Sequence, residues 1–491
     1  MALNTNIGPE RVQVFDVPLG IVQVPGAGTS SAAFILSTTQ VGAPLNSAVA
    51  VTDMDEFEAA FGAADECGEA YYAVKGFFDN AGTGRTAWIV NVGTTPTAAS
   101  YIGDAAAGTG LRALDNIDDL GMVLVPGLPM AQAYLVQPAL IDYTETIRAE
   151  FGATLSTSFS LMSIPNEISK ANKNTAVKTT KFISVAGTGP YVLTVEDVVA
   201  GGTADLSAIT AGMIVRNTAN SFKAVVVSVN DGADEITIAT DPTTSWAGGD
   251  DVFIEIASAV QWKEFVINNP SRTSAWYFNH VNVVDLSTAA SPGDLVTVDP
   301  AGHAAGIIAR IDGNTQIGAH SHAPAGIRFA GISGISSLQL ALSERKDGEP
   351  LRLNFINRIT SFPGAGNVIF GGYTADSGTS PVYTADEQLI QVMRTIQFIK
   401  ASLEPGLRSF IWENYSPTTQ LQVQNAIASF LRTNIHLFPA GLPETQQFKV
   451  ISVTPTQDDL DKGLLKVRVQ IRPNKAVRFI SVDLEYPIPT A

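Results

Sequence analysis

Met122-Val123-Leu124-Val125-Pro126-Gly127 is the stretch from which the fold can be read. Four apolar residues run without alternation and then stop at a Pro-Gly turn. A strand apolar on both faces belongs to a sheet covered by helices on both sides. Pro138 is placed to open a helix, predicted to run to Phe151 with Gly152 ending it. Strand, turn and helix in that order predict an α/β unit.

The same texture extends toward the N-terminus. Phe34-Ile35-Leu36 reads as a buried strand, and Thr52 can cap a helix through Phe61 that Gly62 stops. Glu69 to Phe78 reads as a second helix offering Tyr72, Val74, Phe77 and Phe78 to a core. Gly82 and Gly84 then turn the chain into the strand Ala87–Val92. Before all this, Val12 and Val14 alternate with Arg11 and Gln13, and Ile21 to Val24 follow Pro18. These pieces, broken by Pro18, Pro25 and Gly26, predict an extended arm over residues 1–24.

Toward the C-terminus the texture changes between residues 176 and 262. Short β-type runs such as Val192–Val195, Ala224–Val229 and Val252–Ile256 lie between Gly, Asp and Asn turns, and helix signals are absent. An inserted all-β module is expected there. Ser274 to Val284 returns to α/β character, and Ala301 to Arg310 reads as a helix of small residues. Thr384-Ala385-Asp386-Glu387 is a capping box ahead of a helix carrying Leu389, Val392, Met393, Ile396, Ile399 and Leu403, closed by Pro405-Gly406. Ser416-Pro417 starts another helix. Val467, Val469 and Ile471 alternate with charged and polar residues, and Ile480, Val482 and Leu484 do so again after Pro473. Nothing follows that last strand to pair with it locally, so a second arm is expected over 476–491.

Of 491 residues, 45% are hydrophobic and only 16% charged, a balance suited to a surface covered by copies of itself, or to a plain β-rich protein with polar loops. The net charge of −17 argues against a phosphate-binding surface, hence against nucleic acid. From Gln391 onward there are eleven Lys and Arg against eight Asp and Glu, so a mildly basic end follows an acidic body. An acidic partner surface is one explanation of this end and chance unevenness the other. Lys466, Arg468, Arg472, Lys475 and Arg478 are the candidate contacts. Cys67 is the only cysteine, which excludes an intrachain disulfide. The start has no basic segment followed by an apolar run, and no uninterrupted apolar stretch is long enough to span a bilayer. A soluble chain folded in a reducing cytoplasm is expected.

Chemistry has few candidates. Gly26-Ala27-Gly28-Thr29-Ser30 lacks the Lys that would hold a phosphate, and Gly364-Ala365-Gly366 lacks an acid placed for a ribose. His320 and His322 would share one side of a strand, with His303 and Asp312 near in sequence, a spacing metal ligands can use. Polar loop histidines are the plainer reading. No Gly-x-Ser-x-Gly elbow occurs, and no His stands near Cys67 in sequence. No enzyme, cofactor or metal is expected.

With these segments in place, the order of landmarks resembles the contractile tail sheath family of phages and injection machines. The resemblance rests on Pro18–Phe34, Phe57–Gly62, Gly76–Gly82, Val125-Pro126-Gly127, Pro300–Asp312, Ala323–Gly326, Ile356–Ile359, Ser429–Leu431, Phe448–Val450 and Gly463–Val469. Asn91, Gly372-Tyr373-Thr374, Trp412–Tyr415 and Ala476–Phe479 depart from the family's pattern. The resemblance implies a tube-proximal core from residues 25–100 with 335–475. It also implies an α/β domain, subtilisin-like but without catalytic residues, from 101–175 with 263–334, decorated by the β module of 176–262. It implies arms that donate strands to neighbouring copies, through Val12, Val14, Ile21, Val24, Val467, Val469, Ile480, Val482 and Leu484. The implied partners are further copies in a helical sheath, an inner tail tube, a baseplate and a tail terminator, in a virion tail assembled in a cytoplasm. A capsid-like coat protein and an α/β hydrolase with a β accessory module are the alternatives.

Overall fold

A computed structural model describes residues 28–148, 156–168, 175–187, 190–197, 205–217, 222–238, 242, 246–256, 258–266, 270–314, 319–376 and 382–478. The expected arm residues Val12, Val14, Ile21, Val24, Ile480, Val482 and Leu484 lie outside them.

The chain first lays down β1 (Ala32–Leu36), β2 (Ala48–Val51), β3 (Ala87–Asn91), β4 (Met122–Leu124) and β5 (Phe159–Ser163). Next come β6 (Thr175–Ala186), β7 (Tyr191–Glu196), β8 (Ile214–Asn217), β9 (Phe222–Asn230), β10 (Glu235–Ile238) and β11 (Asp251–Ile256). Then follow β12 (Ser274–Phe278), β13 (Val281–Val284), β14 (Leu295–Val298), β15 (Ser337–Leu338), β16 (Ile356–Phe362), β17 (Gly366–Phe370), β18 (Phe448–Ser452) and β19 (Val467–Ile471). The longer helices are α1 (Met54–Phe61), α2 (Glu69–Ala81), α3 (Met130–Asp142), α4 (Ala259–Val266), α5 (Ala301–Asp312), α6 (Ile390–Leu407) and α7 (Pro417–Thr433).

Eight strands form one sheet in the order β17-β16-β12-β5-β4-β1-β3-β2, parallel except for the antiparallel edge strands β17 and β2. Every residue of β1, β4, β5 and β12 is buried, as apolar runs covered on both faces require. Alternation sorts the side chains. Phe34, Met122, Leu124 and Leu161 join α2 and α5 on one face, and Ile35, Val123, Met162 and Trp276 join α3 on the other. Phe34 meets Phe77 of α2 edge to face, 5.7 Å between ring centroids. Residues 25–100 with 335–475 and residues 101–175 with 263–334, expected as two domains, all send strands into this one sheet. By internal contacts the described residues divide into residues 402–435 with 441–472, and the other described residues.

α2 and α5 pack backbone to backbone. A Cβ on Gly302 would lie 2.1 Å from the Ala73 carbonyl oxygen, and one on Gly306 2.5 Å from that of Phe77. The small residues of α5 are therefore a steric requirement and not only a helix preference.

The inserted module is a closed barrel, β10-β7-β6-β11-β8-β9, with Leu193, Val195, Val226, Ile236 and Ile254 fully buried. Among the described residues, closure leaves no strand edge of the barrel open. The stretch expected to lack helix contains the start of α4, whose Trp262 is fully buried and donates to Gln137 Oε1 at 3.3 Å.

Several boundaries differ from expectation. α3 begins at Met130 and contains Pro138 in its interior. Burial of Met130, Ala133, Val136 and Leu140 outweighs the one backbone bond that proline removes. α1 is capped by Asp53 rather than Thr52, whose N–H and hydroxyl both donate to Glu56. α2 continues past Phe78 to Ala81. The Thr384/Glu387 box forms, but α6 starts only at Ile390 and runs through Pro405 to Leu407. Ser416 caps α7 as expected, accepting from Thr419 N–H.

Candidate functional site

The clearest exposed backbone in the smaller unit is the hairpin of β18 and β19. Val450 stands opposite Val469, and Ser452 opposite Val467. Val467 and Val469, expected as partnerless arm residues, thus already have local partners along one side. Strict alternation along Lys466–Ile471 favours such pairing once Phe448–Ser452 is available. The sheet has two strands, so among the described residues each keeps one outer edge unpaired. One face carries Phe448, Val450, Val469 and Ile471, and the other presents exposed Lys449, Arg468 and Gln470. α7 packs on β18, and Gln420 Nε2 donates to the Val453 carbonyl at 3.2 Å.

The five basic candidates are not equivalent. Lys466 lies 2.5 Å from Asp459, and with the Thr456 N–H and hydroxyl it holds that carboxyl down at about 2. Lys475 is paired with Asp386. Arg468, Arg472 and Arg478 are exposed, and Arg478 lines a cavity with Arg352, Arg358 and Tyr373.

The histidines do not converge. His303 sits within α5 against Gly76 of α2, while His320 lies in a short 3-10 turn, Ala319–Ser321, where a strand was expected. His322 packs on Phe329. Among the described residues no cluster of three His, Cys, Asp or Glu side chains could hold a metal. Cys67 is buried, donates to the Phe61 carbonyl at 3.2 Å, and burial pushes its thiol up to about 11.

Two polar constellations escaped sequence reasoning. In the first, fully buried Arg394 of α6 donates through Nη2 to Asp312 Oδ2 at 2.5 Å and to the Thr29 carbonyl at 2.6 Å. Its Nη1 donates to the Gly121 carbonyl at 2.8 Å. His320 Nε2 is 2.5 Å from Thr29 Oγ1, and its ring stacks on Phe398 at 4.3 Å. Burial holds that imidazole down at about 4, so it is neutral at pH 7. The cluster pins the start of β1 beside residue 28. Residues 312 and 394 lie too far apart in sequence for spacing to reveal the pair.

In the second, Asp299 Oδ1 accepts from Ser163 Oγ at 2.5 Å and Ala301 N–H at 2.6 Å. Glu69 Oε1 accepts from Asp299 N–H at 2.6 Å, and burial, then the Asp299 charge, push its carboxyl up to about 8. Burial holds His280 low, against the pull of Asp299 and Glu167. This group lies beside the carboxyl ends of β4 and β5, next to the β1/β4 pair where strand order reverses, the place where open α/β sheets bind ligands. Here intramolecular hydrogen bonds fill it. Ser163 Oγ donates its hydrogen bond directly to Asp299 and not, as a nucleophilic serine does, to an imidazole.

No protein-family model matches the chain, and no curated protein matches it. Solved structures do. The chain is 15% identical to one in the cryo-EM structure of the anti-feeding prophage (AFP) helical sheath in contracted state, with TM-score 0.60 over 98% of this chain and 99% of that one. An extracellular contractile injection system, the PVC sheath complex in contracted state, gives 13% identity and TM-score 0.60 over 98% of both chains. The AFP baseplate in contracted state gives 16% and 0.59 over 100% of both. From end to end, the fold of this chain is that of contractile injection system sheath proteins.

Proposed function

We propose that the chain is a structural subunit of a contractile tail sheath. It polymerises helically around an inner tube and drives that tube through a target envelope by rearranging subunit packing. The observation that carries this reading is the likeness, over nearly the whole of both chains, to a subunit of a contracted helical sheath. The hairpin supports it: both outer edges of β18 and β19 offer backbone donors and acceptors to strands from other copies. In this reading residues 1–24 and 476–491 supply those strands, with Val12, Val14, Ile21, Val24, Ile480, Val482 and Leu484 as the alternating apolar positions. Such a contact is heterologous and propagates as a helix. In this reading residues 101–175 with 263–334 are the subtilisin-like part, moving as one body with the other strands of the eight-stranded sheet and without catalysis.

Contraction needs no nucleotide in this scheme. Subunits are trapped in a stretched lattice and relax into one that buries more surface. A gain of about 2–5 kcal/mol per subunit, a fraction of one domain's stability, multiplies over the lattice. Attachment to the tube is through exposed, salt-screened cations, chiefly Arg468 and Arg472, since Lys466 and Lys475 are already paired. Baseplate and tail terminator proteins would cap the two ends, in a virion tail or injection particle assembled in the producing cell's cytoplasm.

Negative-stain microscopy tests the reading. The intact protein should form cylinders of one diameter, and a chain lacking residues 1–24 and 476–491 should not. Cylinders formed equally well by the trimmed chain would overturn the strand-donation mechanism. Closed shells from the intact chain would replace the sheath with a capsid-like coat.

A further inference from the structure

Trp412 is 99% exposed and holds a left-handed backbone, φ 76°, that bulky residues rarely adopt. Ile411 beside it is 62% exposed. The other four tryptophans, Trp88, Trp246, Trp262 and Trp276, are buried or half-buried. Within the subunit, folding gains nothing from the Trp412 ring, and tryptophan is the side chain most enriched at the centre of interfaces.

In the larger unit, a cavity of about 180 Å3 opens between α2, α5 and the end of β13. That is about six water molecules' share of liquid volume, the scale of one large side chain. Its mouth is apolar, with Val284 and Leu286 each about half exposed, and Lys75 and Asp79 stand at the rim. His303, only 1% exposed, lines it. Gly76 makes room for that ring, since a Cβ there would lie 2.5 Å from His303 Cε1. Among the described residues the His303 Nδ1 has no hydrogen-bond partner, although buried ring nitrogens are normally paired.

We propose that Trp412 of one copy seats in the His303 cavity of a second copy, giving each subunit one knob and one socket. The chemistry is complementary. Indole is an apolar plate with a single N–H donor, suited to a valine–leucine mouth and an imidazole short of a partner. Lys75 at the rim is paired with Asp79 at 2.9 Å, which leaves the valine–leucine mouth as the apolar contact. Knob and socket are different residues, so each copy can give one contact and accept another, and the contact can pass from copy to copy. The inference rests on the sheath reading above, which supplies the second copy.

The test follows Trp412 fluorescence, isolated as the difference between wild type and W412F, during cylinder formation. On assembly the Trp412 component should shift to shorter wavelength and become protected from acrylamide. W412A, and separately V284R at the cavity mouth, should raise the concentration needed for cylinders by more than about ten-fold. Unchanged circular dichroism of the unassembled variants confirms that both fold. Cylinders in which Trp412 stays open to quencher, or V284R assembling like wild type, would overturn the inference alone. Protection that appears only when tube is added would also overturn it, naming the tube as partner. Wild type that never assembles overturns the sheath reading and this inference with it.

Discussion

Glu69→Gln should stabilise the protein in alkali and leave it nearly unchanged in mild acid. Glu69 stands at the start of α2, where burial and the neighbouring Asp299 raise its carboxyl from the ordinary 4.5 to about 8. A folded-state value above the unfolded one means that the stabilising form is the protonated one. That contribution is complete below pH 4.5, where both states hold the proton. It is lost as pH climbs toward 8, because the unfolded chain releases its proton first. At 1.36 kcal/mol per pH unit the full span is worth at most ~5 kcal/mol. Glu69 is half-buried, so solvent screens part of this, and about 2–3 kcal/mol is the expected difference. Glutamine keeps the acceptor for Asp299 N–H and never ionises. Urea midpoints of wild type and E69Q, taken at intervals from pH 5 to pH 9.5 on unassembled protein, read this directly. The two curves should coincide near pH 5 and separate progressively above it, with E69Q the more stable. A gap constant across that range would refute the buried, proton-holding carboxylate.

Arg394→Met leaves Asp312 buried with its guanidinium gone, which should cost about 3–5 kcal/mol in denaturant unfolding. Adding Asp312→Asn to that variant should recover part of the loss, because the stranded charge goes with it. Gly302→Ala should destabilise by ~3 kcal/mol or more, since its Cβ would fall 2.1 Å from backbone that cannot yield cheaply. A thermal midpoint equal to wild type would mean that α2 and α5 are not in such close contact. Val469→Asp places a charge on the apolar face of β19, and hydrogen exchange should show the hairpin opening while the eight-stranded sheet stays protected.

The central fold was legible because its signals are local. Met122–Leu124 and Phe34–Leu36 are apolar without alternation, and a sheet with both faces covered is the economical way to bury such runs. The barrel was legible as β-rich from its turn spacing, but not as closed, because closure depends on β9 meeting β10 and β6 meeting β11 in registers that sequence spacing does not encode. α3 was misplaced because Pro138 carries a strong start signal, and only tertiary burial of Met130 and Ala133 shows that the helix begins earlier. The expected division into 25–100 with 335–475 and 101–175 with 263–334 came from the family resemblance and not from spacing: parallel neighbours in a sheet are joined through long crossovers, so contiguity in sequence says little about which strands adjoin. Among candidate contacts, Val467 and Val469 were recognised as strand residues, whereas their pairing with β18 needed a partner fifteen or more residues away. Arg394 and Glu69 gave no sequence signal, and Asp312 stood out only beside the histidines, since an isolated charged residue looks the same whether it ends in water or in a core.

The buried polar clusters and the open edges answer different demands of one mechanism. In the proposed sheath, a subunit that rotates within a lattice needs a body that does not deform, and contacts that survive the rotation. Arg394 ties residue 29, residue 121, α5 and α6 into one charge-satisfied node. Backbone ladders at β18 and β19 suit the second demand, because main-chain hydrogen bonds depend on register and not on a particular side chain. If a neighbour holds residues 1–24 as proposed, Thr29 belongs to a node whose disruption strands a buried charge. On this argument the costly ion pair is placed where the load enters, so that strain moves the whole body before it unfolds the strand.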